Sequence, residues 1–459
     1  VLDRLPAEVV RLDPELGLLK AAERIAAADD EAAAALRLAR ERERMLADDR
    51  RPRFDLVVAI CRLLRARRAG DLGETIAAGR EALAAHERLG DGGGLGGAAG
   101  AARAVALSGL GTAELWSGQL DAAAEHLHAG HSAALGAGLD DVRLECLGTL
   151  ALVQAIGGQL RFAAQTGEAA VELAGRHAAA PTLAAAALLA LAWASYQRDD
   201  LTAAAGYLER AAAGAAAAQD RSLRVAVKLL AGRLRHAQAD PAGASAELGG
   251  ARRDLAGWGQ ARLLSRGLAI AEAELHLAGG DADSAGIVSA LSPFLAGCVA
   301  AADLDSRIRA RLLDALAGHA LGNLDEAAAS LRSAVDLAEP EEHRRVFLDV
   351  GAAGRALVAR CRDRIDSSWP FLDELALAAL DHAPTAVSAM PVLIEALSER
   401  ERTVLRYLPT MLTFGEIGSE LYISVNTTKS HVRNIYRKLG AAGRRDAVMR
   451  ARQLRLLRS

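Results

Sequence analysis

The richest set of hydrogen-bonding side chains on one face of a single element lies near the C-terminus. On a helix from about Ser424 to Leu439, Asn426, Lys429, Ser430, Arg433 and Arg437 share one side. Thr428, Val432, Ile435 and Leu439 follow a 4-3-4 spacing on the other. Amide, hydroxyl and cationic groups along one helix face suit the major groove of duplex DNA. There Lys and Arg read guanine edges, and phosphates attract the remaining donors. An ordinary solvated helix face has the same pattern, so periodicity alone leaves both readings open.

Other constellations offer less. His126, His128 and His131 are the only close histidines; on a helix 126 and 128 point about 200° apart, so only His128 and His131 could share a metal, and solvent-facing histidines are the simpler reading. Cys61, Cys146, Cys298 and Cys361 are widely spaced with no CxxC, which gives neither a disulfide framework nor a zinc signature and fits a reducing cytoplasm. The four lysines are Lys20, Lys228, Lys429 and Lys438, and none follows a glycine, so GxxxxGK[ST] cannot be written. Nor does any Gly-x-Ser-x-Gly sit between strand and helix patterns. No metal, cofactor or catalytic residue is expected.

The elements that would hold the basic face carry their own start signals. Ser398 with Glu401, and Thr413 with Glu416, have the spacing of capping boxes. Val404, Leu405 and Leu408 then form the inner face of a first short helix. Ile417 and Leu421 do so for a second, and Tyr422-Ile423-Ser424 makes the turn into the third, opened by Ser424 or Asn426. From Leu393 onward 13 Arg/Lys face 6 Asp/Glu, a local +7 on a body of −10, as for a polyanion-binding module attached to something else.

The words Leu397-Ser398-Glu399-Arg400-Glu401, Glu416-Ile417, Ile423-Ser424, Thr427-Thr428-Lys429-Ser430-His431-Val432 and Asn434-Ile435-Tyr436-Arg437-Lys438-Leu439-Gly440 closely resemble the LuxR-type helix-turn-helix of bacterial transcription regulators. The resemblance covers about 60 residues. It implies a four-helix domain in which Lys429, Ser430 and Arg433 face base edges. Thr413, Ser424, Asn426, Thr427, His431, Asn434, Arg437 and Lys438 would hold the DNA backbone or brace the helix. The last helix, with Arg444, Ala447, Val448, Ala451 and Leu454, would form a dimer contact. Thr428 stands where the family usually has Val, and Gly418 where it has Ala; a buried hydroxyl and a helix glycine could each cost about 1 kcal/mol.

Upstream, turn-like segments recur, each followed by an Ala-rich amphipathic run. Their marker positions are 31, 72, 120, 160, 201, 241, 282 and 324, at intervals of 41, 48, 40, 41, 40, 41 and 42. The long interval contains the glycine-rich Asp91–Gly97, which suits a loop. Hydrophobic residues make up 51% but aromatics only 3%, a mix that favours helix over sheet. Two-helix units of this period predict a solenoid of tetratricopeptide type from about residue 15 to residue 340. The uncharged stretch Ala178–Gln197 reads as a buried repeat helix and not a membrane span. Helical pattern continues over Arg344–Val358 and Phe371–Leu380, before a stretch with Pro384 and Pro391 that reads as a linker.

The body, with Leu5-Pro6-Ala7-Glu8, Leu16-Gly17-Leu18-Leu19 and Arg345-Val346-Phe347-Leu348-Asp349-Val350-Gly351, is similar to the sensor region of large ATP-binding LuxR regulators of MalT type. That resemblance implies ATP as a cofactor only in a longer parent chain, since this one begins with Val and carries no P-loop. The fold expected is all-α: a helical-repeat region over residues 1–380, a linker over 381–392 and the helix-turn-helix domain over 393–459. The function expected is non-enzymatic, cytoplasmic transcription regulation. The partners are double-stranded DNA, RNA polymerase and a small-molecule or protein effector at the repeats, with dimerisation on DNA and no membrane. The rival reading is a repeat scaffold or adaptor whose terminal module has lost its DNA role.

Overall fold

A computed structural model describes residues 32–90, 97–176, 180–278, 303–320, 323–365, 369–381, 397–409 and 412–439, with isolated residues outside these ranges. Every regular element among the described residues is a helix. They fall into two compact units, Val1–Leu313 with Ala334–Asp349, and Asp314–Ser333 with Val350–Ser459. This division differs from the boundary read at 381–392; residues 382–396 of that linker, residues 91–96 of the glycine insert and the marker at 282 lie outside the described residues.

In the first unit the 41-residue period is a repeated turn. Helices Arg51–Ala69, Gly97–Ser117, Asp140–Ile156, Ala185–Gln197 and Arg221–Ala237 are each followed by a second helix, beginning at Leu72, Leu120, Leu160, Leu201 and Pro241. Two residues before each second helix the backbone is left-handed, at Gly70, Gly118, Gly158, Asp199 and Ala239. The next amide donates back to the carbonyl five residues earlier: Asp71 to Ala66, Gln119 to Glu114, Gln159 to Gln154, Asp200 to Ser195 and Asp240 to Arg235, at 2.8–2.9 Å. These bonds satisfy carbonyls that a helix end leaves open. Asp71, Asp200 and Asp240 then cap the following helix, accepting from the amides of Glu74, Ala203 and Gly243. At these three turns one residue ends a helix and its neighbour starts the next, whereas Gln119 and Gln159 make no capping side-chain bond.

Alanine lets these pairs pack closely. Ala78, Ala82, Ala123, Ala163, Ala204, Ala211 and Ala244 are all buried, and at Gly214 even a Cβ would lie 2.2 Å from the Pro181 carbonyl oxygen. The helix Ala185–Gln197 is almost wholly buried, as expected, and no described helix is long and apolar enough to cross a membrane. The curve closes on itself. Trp258 Nε1 donates to the Gly70 carbonyl at 2.7 Å, and Gln260 Oε1 accepts from the Gly73 amide at 3.1 Å. A loop about 188 residues downstream therefore meets the first turn.

The segment expected as one helix over Arg344–Val358 is two, Arg345–Leu348 and Gly351–Cys361, interrupted where Gly351 takes φ +61°. Its first part anchors a buried ionic cluster. Asp349 accepts from Arg345 (2.6 Å), Arg309 (3.2 Å) and the Tyr196 hydroxyl (2.7 Å). Arg309 also bonds Asp305 and Glu274, and Arg233 reaches Asp305 at 3.2 Å. Burial works against ionisation of Asp305 and Asp349, but the facing arginines outweigh it and hold both below the usual carboxylate range. His126, read from sequence as solvent-facing, instead pairs at 2.6 Å with the fully buried Glu114. Among the described residues no group of His, Cys, Asp and Glu could hold a metal ion.

Candidate nucleic-acid interface

Both capping boxes form. Ser398 Oγ accepts from the Glu401 amide and Glu401 answers from the Ser398 amide, starting the helix Glu399–Tyr407. Thr413 and Glu416 do the same for Phe414–Glu420. Each box contributes about 1 kcal/mol and fixes where its helix begins. The chain then turns through Tyr422, whose φ is +54°, into the helix Val425–Leu439. Of the two caps considered, Ser424 is the one used: its Oγ accepts from the Thr427 amide at 3.1 Å.

The third helix divides as its spacing implies. Thr428, Val432 and Ile435 are fully buried against Leu397, Val404, Leu405, Leu408 and Ile417. The Thr428 hydroxyl is not left unpaired, since it donates to the Ser424 carbonyl at 3.2 Å. A Cβ on Gly418 would lie 3.0 Å from that hydroxyl oxygen and 2.9 Å from the Ile423 carbonyl oxygen. The two departures from the family pattern therefore meet at one contact. On the outer side Asn426, Thr427, Ser430, Arg433 and Asn434 are exposed, and His431 is half-buried. Nothing is described of the Arg437 and Leu439 side chains.

Four residues take other places in the structure than expected. Lys438, expected at the DNA backbone, is buried with its ammonium 2.9 Å from Glu401, so it joins the first and third helices from within. Arg444 is an internal strut: its guanidinium donates to the carbonyls of Tyr407 (3.4 Å) and Leu408 (2.8 Å) at the end of the first helix and of Leu412 (2.7 Å) before the second. Ala447 and Ala451 are fully buried in the domain core, so neither presents a face to a second copy. Val448 is half-buried against that core, and Leu454 lies outside the described residues.

Lys429 stays on the outer face but is not bare: its Nζ is 3.0 Å from Asp373 on the helix Pro370–Asp381 of the same unit. Tyr422, which the sequence marks only as part of the turn, is 96% exposed at the entrance to the third helix. The signal was there, since an aromatic residue occupies a turn position that glycine or asparagine would fill more easily.

Residues 395–451 match the family described as bacterial regulatory proteins, luxR family. The chain thus carries a luxR-family helix-turn-helix domain after a body whose described regular elements are all helices. Among relatives, a 122-residue stretch is 42% identical to the HTH-type transcriptional regulator MalT of Klebsiella pneumoniae and 33% identical to that of Cronobacter sakazakii. Each match covers 26% of this chain, and the chain spans only 12% of the relatives' length. A solved structure, a Rap protein complexed with Competence and Sporulation Factor, covers 80% of this chain and 96% of its own with a TM-score of 0.50. At 13% identity that likeness concerns the fold alone, which is tetratricopeptide-like.

Proposed function

We propose that this chain is a transcription regulator that reads duplex DNA through the helix Val425–Leu439 and senses an effector through its repeats. The observation that carries the reading is the exposed row Asn426, Ser430 and Arg433 on a helix whose opposite face is locked into a core. The regulator names of the partial relatives support it. Arg433 is the base reader: it is exposed, and it follows Lys429 and Ser430 by one turn on the same face.

A selection from random duplex DNA followed by mobility shift at moderate salt tests this. Arg433→Ala costs about 1–3 kcal/mol on the selected site and much less on random DNA. A chain that selects no sequence, or an Arg433→Ala variant that weakens both DNAs equally, sinks the base-reading role and moves the adaptor reading ahead.

A further inference from the structure

The helix-turn-helix domain concentrates apolar exposure and backbone strain at one place. Among its described residues, the large apolar side chains left exposed are Tyr422 at 96% and Val425 at 43%. They stand on either side of Ser424, which caps the helix Val425–Leu439. No other large apolar side chain among the described residues of the chain is as exposed as Tyr422.

Tyr422 also sits where the backbone resists it. The helix Phe414–Glu420 closes with the Ile423 amide donating to the Gly418 carbonyl at 2.9 Å and the Tyr422 amide to the Ser419 carbonyl at 3.3 Å. That closure needs a left-handed residue, and Tyr422 supplies it at φ +54°. Glycine takes this conformation freely, whereas a bulky side chain is strained there. Tyr422 is the one aromatic residue among those described with a positive φ. Nothing inside the fold offsets the strain, because at 96% exposure the ring touches almost nothing in the chain and its hydroxyl is open to solvent. The use of this side chain therefore lies outside the fold.

Its position selects the partner. In a helix-turn-helix the second helix enters the major groove by its N-terminal residues while the first crosses the backbone. The turn between them then stands at the groove wall, which is made of sugar and phosphate. Ser424 Oγ and Thr427 Oγ1, both on exposed residues and 2.7 Å apart, lie at the same entrance. A tyrosine suits such a wall: its hydroxyl is a donor for a phosphate oxygen, and its ring is an apolar face for a deoxyribose. We infer that Tyr422 is a DNA-backbone contact, its hydroxyl donating to a phosphate at the edge of the major groove and its ring lying against the adjoining sugar. The inference rests on the DNA-reading function proposed above, and it adds a contact that fixes the helix's register on the duplex without reading sequence.

The test uses the full chain in mobility shift at fixed salt, on the selected site and on random duplex. Tyr422→Phe removes only the hydroxyl and weakens both DNAs by the same factor, about threefold to tenfold, because a phosphate contact carries no sequence information. The salt dependence of binding keeps its slope, since a neutral donor displaces no counterion. Tyr422→Gly removes the ring as well and weakens both DNAs further, while its melting temperature is unchanged or raised as the left-handed strain is relieved. Methylphosphonate substitutions walked along the selected site locate the partner: at one phosphate the unmodified chain loses affinity and Tyr422→Phe loses none. Binding by both variants equal to that of the unmodified chain overturns the proposal and turns the ring toward a protein partner instead. Weakening confined to the selected site overturns it too, by making Tyr422 a base contact. A lower melting temperature for Tyr422→Gly denies the strain that directs the side chain outward. The two readings fail separately: a chain that shifts neither DNA removes the reader and this contact together, whereas normal shifts by both Tyr422 variants remove the contact and leave the reader.

Discussion

Glu401 and Lys438 show how much one contact can change a residue's role. Lysine on a helix that faces DNA invites a phosphate assignment, yet here the ammonium is buried against a carboxylate of the first helix. Burial would raise the Glu401 carboxyl, but hydrogen bonds from Lys438 and Ser398 hold it below its ordinary value of 4.5. A depressed carboxylate contributes stability that is present above the ordinary value and lost as pH falls through the lowered one. The domain's thermal midpoint therefore declines below about pH 4.5, and Glu401→Gln, which removes the titrating group, flattens that decline. Melting curves between pH 7 and pH 3 check it; parallel declines in the two proteins exclude the linkage. At Gly418 two effects oppose each other. Alanine is worth about 1 kcal/mol more than glycine within a helix, but its Cβ would meet the Ile423 carbonyl oxygen at 2.9 Å. Because that neighbour is backbone, overpacking of about 1–3 kcal/mol wins. Gly418→Ala lowers stability in denaturant titration, and a gain in midpoint contradicts the contact.

Among the elements, the repeated turn governs the first unit. Five left-handed residues end five helices, but only three are glycine. Ala239 holds φ +60° with a Cβ in place, a conformation that costs an L-residue about 1–2 kcal/mol. Glycine's extra unfolded-state entropy returns about 0.5–1 kcal/mol of that, so Ala239→Gly stabilises the unit by up to about 1 kcal/mol. Calorimetry reads this as a higher melting temperature, and a lower one denies that strain is stored at the turn. Asp199 is the less informative position, because its carboxylate also bonds Arg345 at 3.0 Å.

On the scale of the whole molecule, the unit that contains the helix proposed to read DNA also supplies a competitor for that role. Asp373 holds Lys429 at 3.0 Å and Arg362 at 2.8 Å. Burial alone would raise its carboxyl, but the two cations outweigh burial and hold it below the usual carboxylate range. DNA binding must break the Lys429 contact before that lysine can reach a base. Asp373→Asn accordingly tightens binding to the selected site by several-fold, and the gain disappears in a Lys429→Ala background. Equal gains with and without Lys429 mean that only general charge repulsion was removed. The outcome is read by mobility shift at two salt concentrations, since a general electrostatic effect is screened away at the higher one.

Much of this molecule is local, and local features are legible in one dimension. Ser398 with Glu401, Thr413 with Glu416 and the inward spacing of Thr428, Val432 and Ile435 on the third helix each depend on residues within a turn or two. Each folds as its spacing implies. The repeat period is legible because each unit places a left-handed residue, an Asp or Gln and a leucine or proline in succession. Choices among distant partners were not legible. Nothing in the neighbourhood of Lys438, Lys429 or Arg444 says that they will meet Glu401, Asp373 and the carbonyls ending the first helix. The same is true of Asp349, whose partners Arg309 and Tyr196 lie 40 and 153 residues away, and of Arg345, which stacks over the Tyr196 ring. A long charged side chain fits a solvated face, a phosphate or a buried counter-ion equally well by type. Only the three-dimensional arrangement of carboxylates and open carbonyls decides which of these it meets.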